Sequence, residues 1–365
     1  MSKIAVKFPN VDSAKFFRTL NQRVNTYFKE NNLKKTGNWK LYLKTIIMFT
    51  VMLTPYVLIL TIPMSQWMQL LLAIVIGIGM AGVGMNVMHD GNHGSFSSKK
   101  WVNSIMGGSI YILAGNVYNW QVQHNVLHHT YTNIQGYDED IDAGRIIRFS
   151  KNANWQKMHK YQKYYSVFLY GLLTINWVIT TDFKQSSRYL KRGLSYGKFP
   201  NKTKHWTGLA IAKIIYILLW VVIPMMVLSL VWWKILIGFF VMHYVAGLIL
   251  SLTFQLAHVM PDTDMPVPDK DGNMKNTWAV HQLLTTANFA PKNIIVGWFT
   301  GGLNRQIEHH LFSNISHIHY KKLAKIVKET AQEFQLPYHE YKTTRRAIIS
   351  HFQQLAELGK KPVMA

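Results

Sequence analysis

Four stretches of this 365-residue chain run for about twenty residues without Asp, Glu, Lys or Arg: Thr45–Pro63, Met68–Met88, Ile214–Trp233 and Ile235–Ala257. About twenty apolar residues carry an α-helix across the hydrocarbon core of a bilayer, and four uncharged runs of that length are rare outside membranes. Lipid offers the backbone no hydrogen bonds, so each run is expected to be a helix that satisfies its own. The runs come in pairs. "MSQW" links the first two and Lys234 alone separates the last two. Connections this tight predict two transmembrane hairpins, 45–88 and 214–257.

Two hairpins leave three segments on one side of the membrane: an N-terminal arm (1–44), a middle segment (89–213) and a C-terminal segment (258–365). These hold almost all of the 40 Lys and Arg behind the net charge of +23. Basic loops stay in the cytoplasm, which places both termini there. The expected fold is an all-α integral membrane protein with four transmembrane helices in two hairpins under a cytoplasmic helical cap. Membrane sidedness accounts for the basic charge, so nucleic acid is not an expected partner. The N-terminal "MSKIAVKFPNVDSAKFF" has no continuous apolar core and is not read as a secretory signal. Two shorter apolar stretches, Ser104–Trp120 and Tyr164–Phe183, are interrupted by glycine or polar residues and flanked by aromatics. They read as interfacial or re-entrant helices; a fifth span among them would break the sidedness. The tail from His317 reads as an amphipathic basic helix ending near Pro337.

The sequence contains no cysteine, which excludes disulfides, iron–sulfur clusters and thiolate zinc sites. Any metal has to sit on imidazole, carboxylate or amide groups. Sixteen histidines are present; eight of them stand out by placement, and all eight fall at predicted cytoplasmic ends of spans or in cytoplasmic segments. "HDGNH" supplies His89 and His93; "HNVLHH" supplies His124, His128 and His129; "QIEHH" supplies His309 and His310 after Gln306. His258 closes the fourth run. On a helix, side chains at i and i+4 share a face, so His89 with His93, and His124 with His128, are spaced to grip one ion. Eight imidazoles exceed the four ligands of a zinc site and suit two ions. Two nitrogen-rich metal sites beside a hydrocarbon phase point to iron and dioxygen chemistry. Asp90, Glu308, Asp138, Asp140 and Asp142 are candidates to accept N–H bonds from ligating rings. His159, His205, His339 and His351 lie in basic polar stretches and read as surface. His243, mid-way along the fourth run, is about 22 Å of helix from His258; it reads as an interhelical hydrogen bond or a tunnel wall.

Three histidine boxes in this order and sidedness resemble those of the membrane fatty acid desaturases. Gln306 in "QIEHH", with "HNVLHHTYTNIQGYDEDI" and "FQLAHVMPD", is similar to the front-end (delta-5/delta-6, linoleoyl-CoA desaturase-like) subgroup. The resemblance spans about residues 40 to 345. It implies a non-haem di-iron centre with His89, His93, His124, His128, His129, His258, His309 and His310 as catalytic metal ligands, and Gln306 in the place of a ninth. Many front-end members carry a fused cytochrome b5 domain with an HPGG motif. That motif is absent here, and about 40 residues before the first span are too few for such a domain. Electrons are therefore expected from a separate donor, a ferredoxin or cytochrome b5 with its reductase, drawn to the basic face.

The implied reaction removes two hydrogens from adjacent methylenes of a fatty acyl-CoA or acyl-lipid, with O2 as co-substrate and membrane lipids as surroundings. Trp120 and Gln123, just before the second box, are candidates for the substrate mouth. The expected location is a bacterial inner membrane, with the endoplasmic reticulum membrane as the alternative. A lipid hydroxylase on the same scaffold is the nearest rival function. A membrane metal transporter or sensor is a distant one, because its ligands would lie within the spans.

Overall fold

The computed structural model describes residues 6–9 and 14–362; positions 1–5 and 10–13 of the N-terminal arm and 363–365 of the tail lie outside the described residues. The chain is mostly helical and divides into two compact units. One is built from Gly37–Val126 and Val167–Leu252, the other from Met1–Thr36, Leu127–Ser166 and Thr253–Ala365.

The first unit holds most of the apolar sequence. Four helices are long and apolar enough to cross a membrane: Trp39–Thr61, Gln66–Asn92, Lys202–Val227 and Trp232–His258, the last continuing into the second unit. Each of the first three starts on a side-chain cap, where Asn38, Ser65 and Asn201 accept a bond from an early backbone N–H. The asparagine cap starts the third helix twelve residues before the apolar run at Ile214. The break in the second pair also falls earlier than Lys234. The third helix ends at Val227 and the fourth begins at Trp232, so Lys234 sits in its first turn. The intervening Leu228–Val231 is largely apolar and gives no polar turn signal.

Glycine sets the closest approaches between spans. A Cβ on Gly79 would lie 2.6 Å from Cα of Met52, and one on Gly77 would lie 2.4 Å from the carbonyl oxygen of Met242. Two polar groups inside the spans are paired. Lys213 bonds Asp182 and the carbonyls of Ala114 and Trp177, so its charge does not break the third helix. His243 bonds Thr174 through Nδ1 and the Tyr216 hydroxyl through Nε2, which is the interhelical role expected of it. Helices Lys157–Gly171 and Leu173–Arg192 form a pair bent by 62°. The Ser251 hydroxyl donates to the Tyr170 carbonyl, and Thr174 meets His243. The bend therefore lies beside the middle of the fourth span and is not confined to the interface.

The second unit carries a core of its own. Phe16, Leu20, Val24 and Phe28 recur every four residues on helix Ala14–Glu30 and form one buried stripe. The stripe packs with Leu283, Ile307, Leu311, Leu323 and Val327. The basic tail forms helix Tyr320–Glu333, ending before Pro337. Two features depart from the all-α expectation or extend it. Ala287–Phe289 pairs in parallel with His339–Tyr341, and a further helix covers Thr344–Gly359. Three-residue strands are too short to show an alternating pattern. His159 and His351, expected at the surface, are buried. Each satisfies its ring on a backbone carbonyl, Arg145 for His159 and Val259 for His351, so burial costs them little. His205 and His339 are half-buried.

Candidate metal centre

Both stretches that carry the first two boxes contain π-helical turns, Gly84–Met88 and Gln121–His128. Such turns re-aim side chains and occur often at functional sites. In the first unit they bring His89, His93 and His124 together, with ring nitrogens within 4.8 Å of one another. His89 Nε2 and His124 Nε2 are 3.2 Å apart. The rings of His89 and His93, spaced to share a helix face, lie 4.6 Å apart between centroids. Trp120 covers this trio, 4.4 Å from the His124 ring and 5.6 Å from each of the other two. Asn119, one residue earlier, donates to Asp182, the partner of Lys213. Of the two predicted substrate-mouth residues, Trp120 thus flanks the first trio, and Gln123 accepts a bond from Gln185.

The second unit assembles His128, His258 and His310, again with nitrogens within 4.8 Å. The Nδ1 partners decide the chemistry of the second trio. His128 Nδ1 faces Asp138 at 3.0 Å and Asp140 at 3.4 Å. His258 Nδ1 faces the Thr285 carbonyl at 3.3 Å. His310 Nδ1 faces the Gln282 side-chain oxygen at 2.8 Å. Carboxylate and carbonyl oxygens only accept, so all three rings carry their proton on Nδ1. Their Nε2 lone pairs then converge, with those of His128 and His310 only 3.2 Å apart. Two facing lone pairs at that distance repel unless a metal ion or a proton lies between them. His258 Nε2 and both amide atoms of Gln306 are buried without a hydrogen-bond partner. A buried polar atom left unbonded costs about 1–3 kcal/mol, which a coordinated ion removes. The donor set therefore fits a metal, and imidazole nitrogens suit iron among the transition metals, as they do zinc, copper and nickel.

His129 and His309 belong to the same unit. Their centroids are 4.6 Å apart, and His129 stacks on His310 at 4.5 Å. His309 Nδ1 meets the Tyr320 hydroxyl at 3.1 Å. Gln306 begins the short helix Gln306–Leu311, one turn from His310 and on the same face.

Of the predicted acidic acceptors, Asp138 fills that role, with Asp140 beside it at ion-pair distance. Asp138 is fully buried and held by the backbone N–H groups of Asn133 and Asp140. Burial opposes both charges, yet mutual attraction keeps Asp138 low and His128 raised. Glu308 does not serve a ring. Its carboxylate is taken by Asn288 and Tyr338, and burial pushes it up to about 7. Asp142 caps its own loop at Gly144, and Asp90 is 4.0 Å from His89 Nδ1.

Sequence reasoning missed Gln282, Thr285 and Asn133. Asn133 has a left-handed backbone (φ 60°) and donates to the carbonyls of His258, Asp264 and Thr285. Its place directly after the second box, in a turn-forming "TN", was a usable signal. Gln282 and Thr285 lie more than 140 residues from that box and offered none.

The fatty acid desaturase family profile matches residues 65–342. The chain belongs to this family. It is 34% identical to the sn-1 linoleoyl-lipid 6-desaturase of Arthrospira platensis, over 95% of this chain and 93% of that one. It is 35% identical to the enzyme of the same name from Synechocystis sp., over 94% and 96%. Identity to an acyl-lipid (8-3)-desaturase of Physcomitrium patens is 32%, over 98% of this chain and 74% of the relative. The protein is thus a multi-pass membrane fatty acid desaturase, an oxidoreductase acting on lipid with a redox partner. Hydroxylation is not favoured by these relatives, and neither transport nor sensing accounts for them.

Proposed function

We propose that this desaturase is a front-end enzyme acting on acyl-lipid, with each histidine trio forming the core of one iron site. The relatives named for lipid-linked desaturation support the carrier, over acyl-CoA. The single observation that carries the metal assignment is the second trio, whose three Nδ1–H groups are committed to acceptors and whose three Nε2 atoms converge. His89, His93 and His124 would hold one iron, His128, His258 and His310 the other. His129 and His309 add ligands from the second unit, and Gln306 presents an amide where an imidazole is usual.

When bound, the irons would supply the dioxygen activation by which two methylene hydrogens, two donor electrons and two protons from water convert O2 to two waters. The remaining tasks belong to this chain. Asp138, Thr285 and Gln282 hold the ring protons on Nδ1 so that Nε2 stays a ligand. Trp120 presents an apolar plane beside the first trio, suited to an acyl chain. The four spans form two hairpins, and the Lys- and Arg-rich segments, with both termini and the histidines, face the cytoplasm of a bacterial inner membrane. A separate acidic donor, ferredoxin or cytochrome b5, meets this basic face.

The test is a fatty-acid profile of host cells expressing the enzyme with a donor system and fed C16 to C20 saturated and unsaturated acids. A product two mass units lighter, with its new double bond between an existing one and the carboxyl end, is expected. It should appear in the lipid fraction before the CoA pool and be absent with His310→Ala. A product sixteen units heavier, or a new bond on the methyl side, would overturn the assignment.

A further inference from the structure

We infer that the short helix Ile294–Phe299 is a membrane anchor, seated at the headgroup–acyl boundary of the bilayer. Its outer face is apolar and uncovered. Ile294 is 77% exposed, Ile295 79% and Trp298 44%. Its inner face is packed, with Val296 against a cluster containing Leu256, Met260, Phe289 and Tyr341. Leu256 identifies the depth of that cluster, because it lies near the end of the fourth span.

The depth follows from helix geometry. Trp232–His258 has 27 residues and rises about 40 Å, against roughly 30 Å of hydrocarbon. Trp232 and Trp233 at one end mark an interface, as paired tryptophans do. About twenty residues further on, the helix leaves the hydrocarbon near Leu252. Leu256 therefore lies in the headgroup layer, and the helix packed on its cluster lies at the same level. Its exposed isoleucines meet lipid there, where burial contributes about 25 cal/mol per Å² of apolar surface. Lys292 just before the helix and Trp298 near its end are the residue types that interfacial helices use. An acidic electron donor would need a charged surface, and this face offers none between Ile294 and Phe299.

The anchor is tied to the metal-binding segment. The Arg305 guanidinium bonds the Pro291 carbonyl ahead of the anchor and the Asn304 side chain. Arg305 directly precedes Gln306, so the anchor fixes how deep the helix carrying His309 and His310 sits relative to the bilayer.

The absence of native cysteine makes site-directed spin labelling direct. Ile294→Cys and Ile295→Cys would each be nitroxide-labelled in the full chain, reconstituted in phosphatidylcholine nanodiscs. Ile214→Cys on the exposed side of the third span serves as the lipid reference, and Lys325→Cys on helix Tyr320–Glu333 as the water reference. Collision rates with O2 and with a water-soluble nickel chelate report depth. Both anchor labels should favour O2 over the chelate, as at Ile214. Chelate accessibility equal to that at Lys325 would place the helix in water and overturn the inference. Shielding from both reagents would mean protein covers the face, and would overturn it equally. The readout is independent of catalysis, so failure here leaves the desaturase reading standing.

Discussion

The two histidine trios face different neighbours. His128, His258 and His310 are each backed by an oxygen acceptor on Nδ1, drawn from Asp138, Thr285 and Gln282. His89, His93 and His124 are roofed by an aromatic plane, Trp120. A ring whose Nδ1–H is held by an acceptor keeps Nε2 free for a metal, and a ring beside an apolar plane borders a place where an alkyl chain can lie. We expect the second trio to fail through lost metal and the Trp120 region to fail through lost substrate positioning.

The largest effect is expected from His128→Ala, which should abolish detectable product in the fatty-acid assay. Substantial turnover would remove the second trio from the chemistry. Next, Asp138→Ala should lower iron affinity or activity by about 10- to 100-fold, with Asp138→Asn milder because an amide oxygen still accepts the His128 proton. Equal losses in the two variants would assign Asp138 to charge alone. Trp120→Ala should raise KM for the lipid several-fold at unchanged iron content; a fall in iron instead would make Trp120 part of the metal support and erase the distinction between the trios. Gln306→His should retain some activity, since imidazole can fill that place, and complete loss of iron would show that the amide's shape is required.

The smallest effect concerns stability. Burial lowers His351 to about 4 from an ordinary value near 6.5. The unfolded chain therefore takes up a proton first as pH falls. His351 thus costs stability progressively between about pH 6.5 and pH 4, and nothing above, to a limit on the order of 3 kcal/mol. Thermal unfolding in detergent should show His351→Gln less acid-sensitive over that window. An unchanged acid slope would contradict the buried, neutral assignment.

Much of this was legible in the chain. The four spans showed as uncharged runs, and the histidine clusters showed by spacing alone. The start of the third span was hidden because Lys202, Lys204 and Lys213 read as the end of a loop. Asn201 as a cap, and Asp182 as a buried partner for Lys213, make those charges compatible with a helix. The π-helical turn through Gln121–His128 was hidden for another reason, because it leaves no mark in composition. The acceptors behind His258 and His310 come from "QLLT", a segment that carries no metal-ligand signature of its own. His351 misled because its neighbours are basic, while its own ring faces inward to Val259.

The most direct measurement is iron per chain in purified wild-type enzyme, His93→Ala and His310→Ala, loaded anaerobically with ferrous iron. The account predicts two irons in the wild type and about one in each variant, the remaining ion differing between them by its spectroscopic signature. Two irons retained in either variant, or a single ion in the wild type, would contradict the assignment of one iron to each trio.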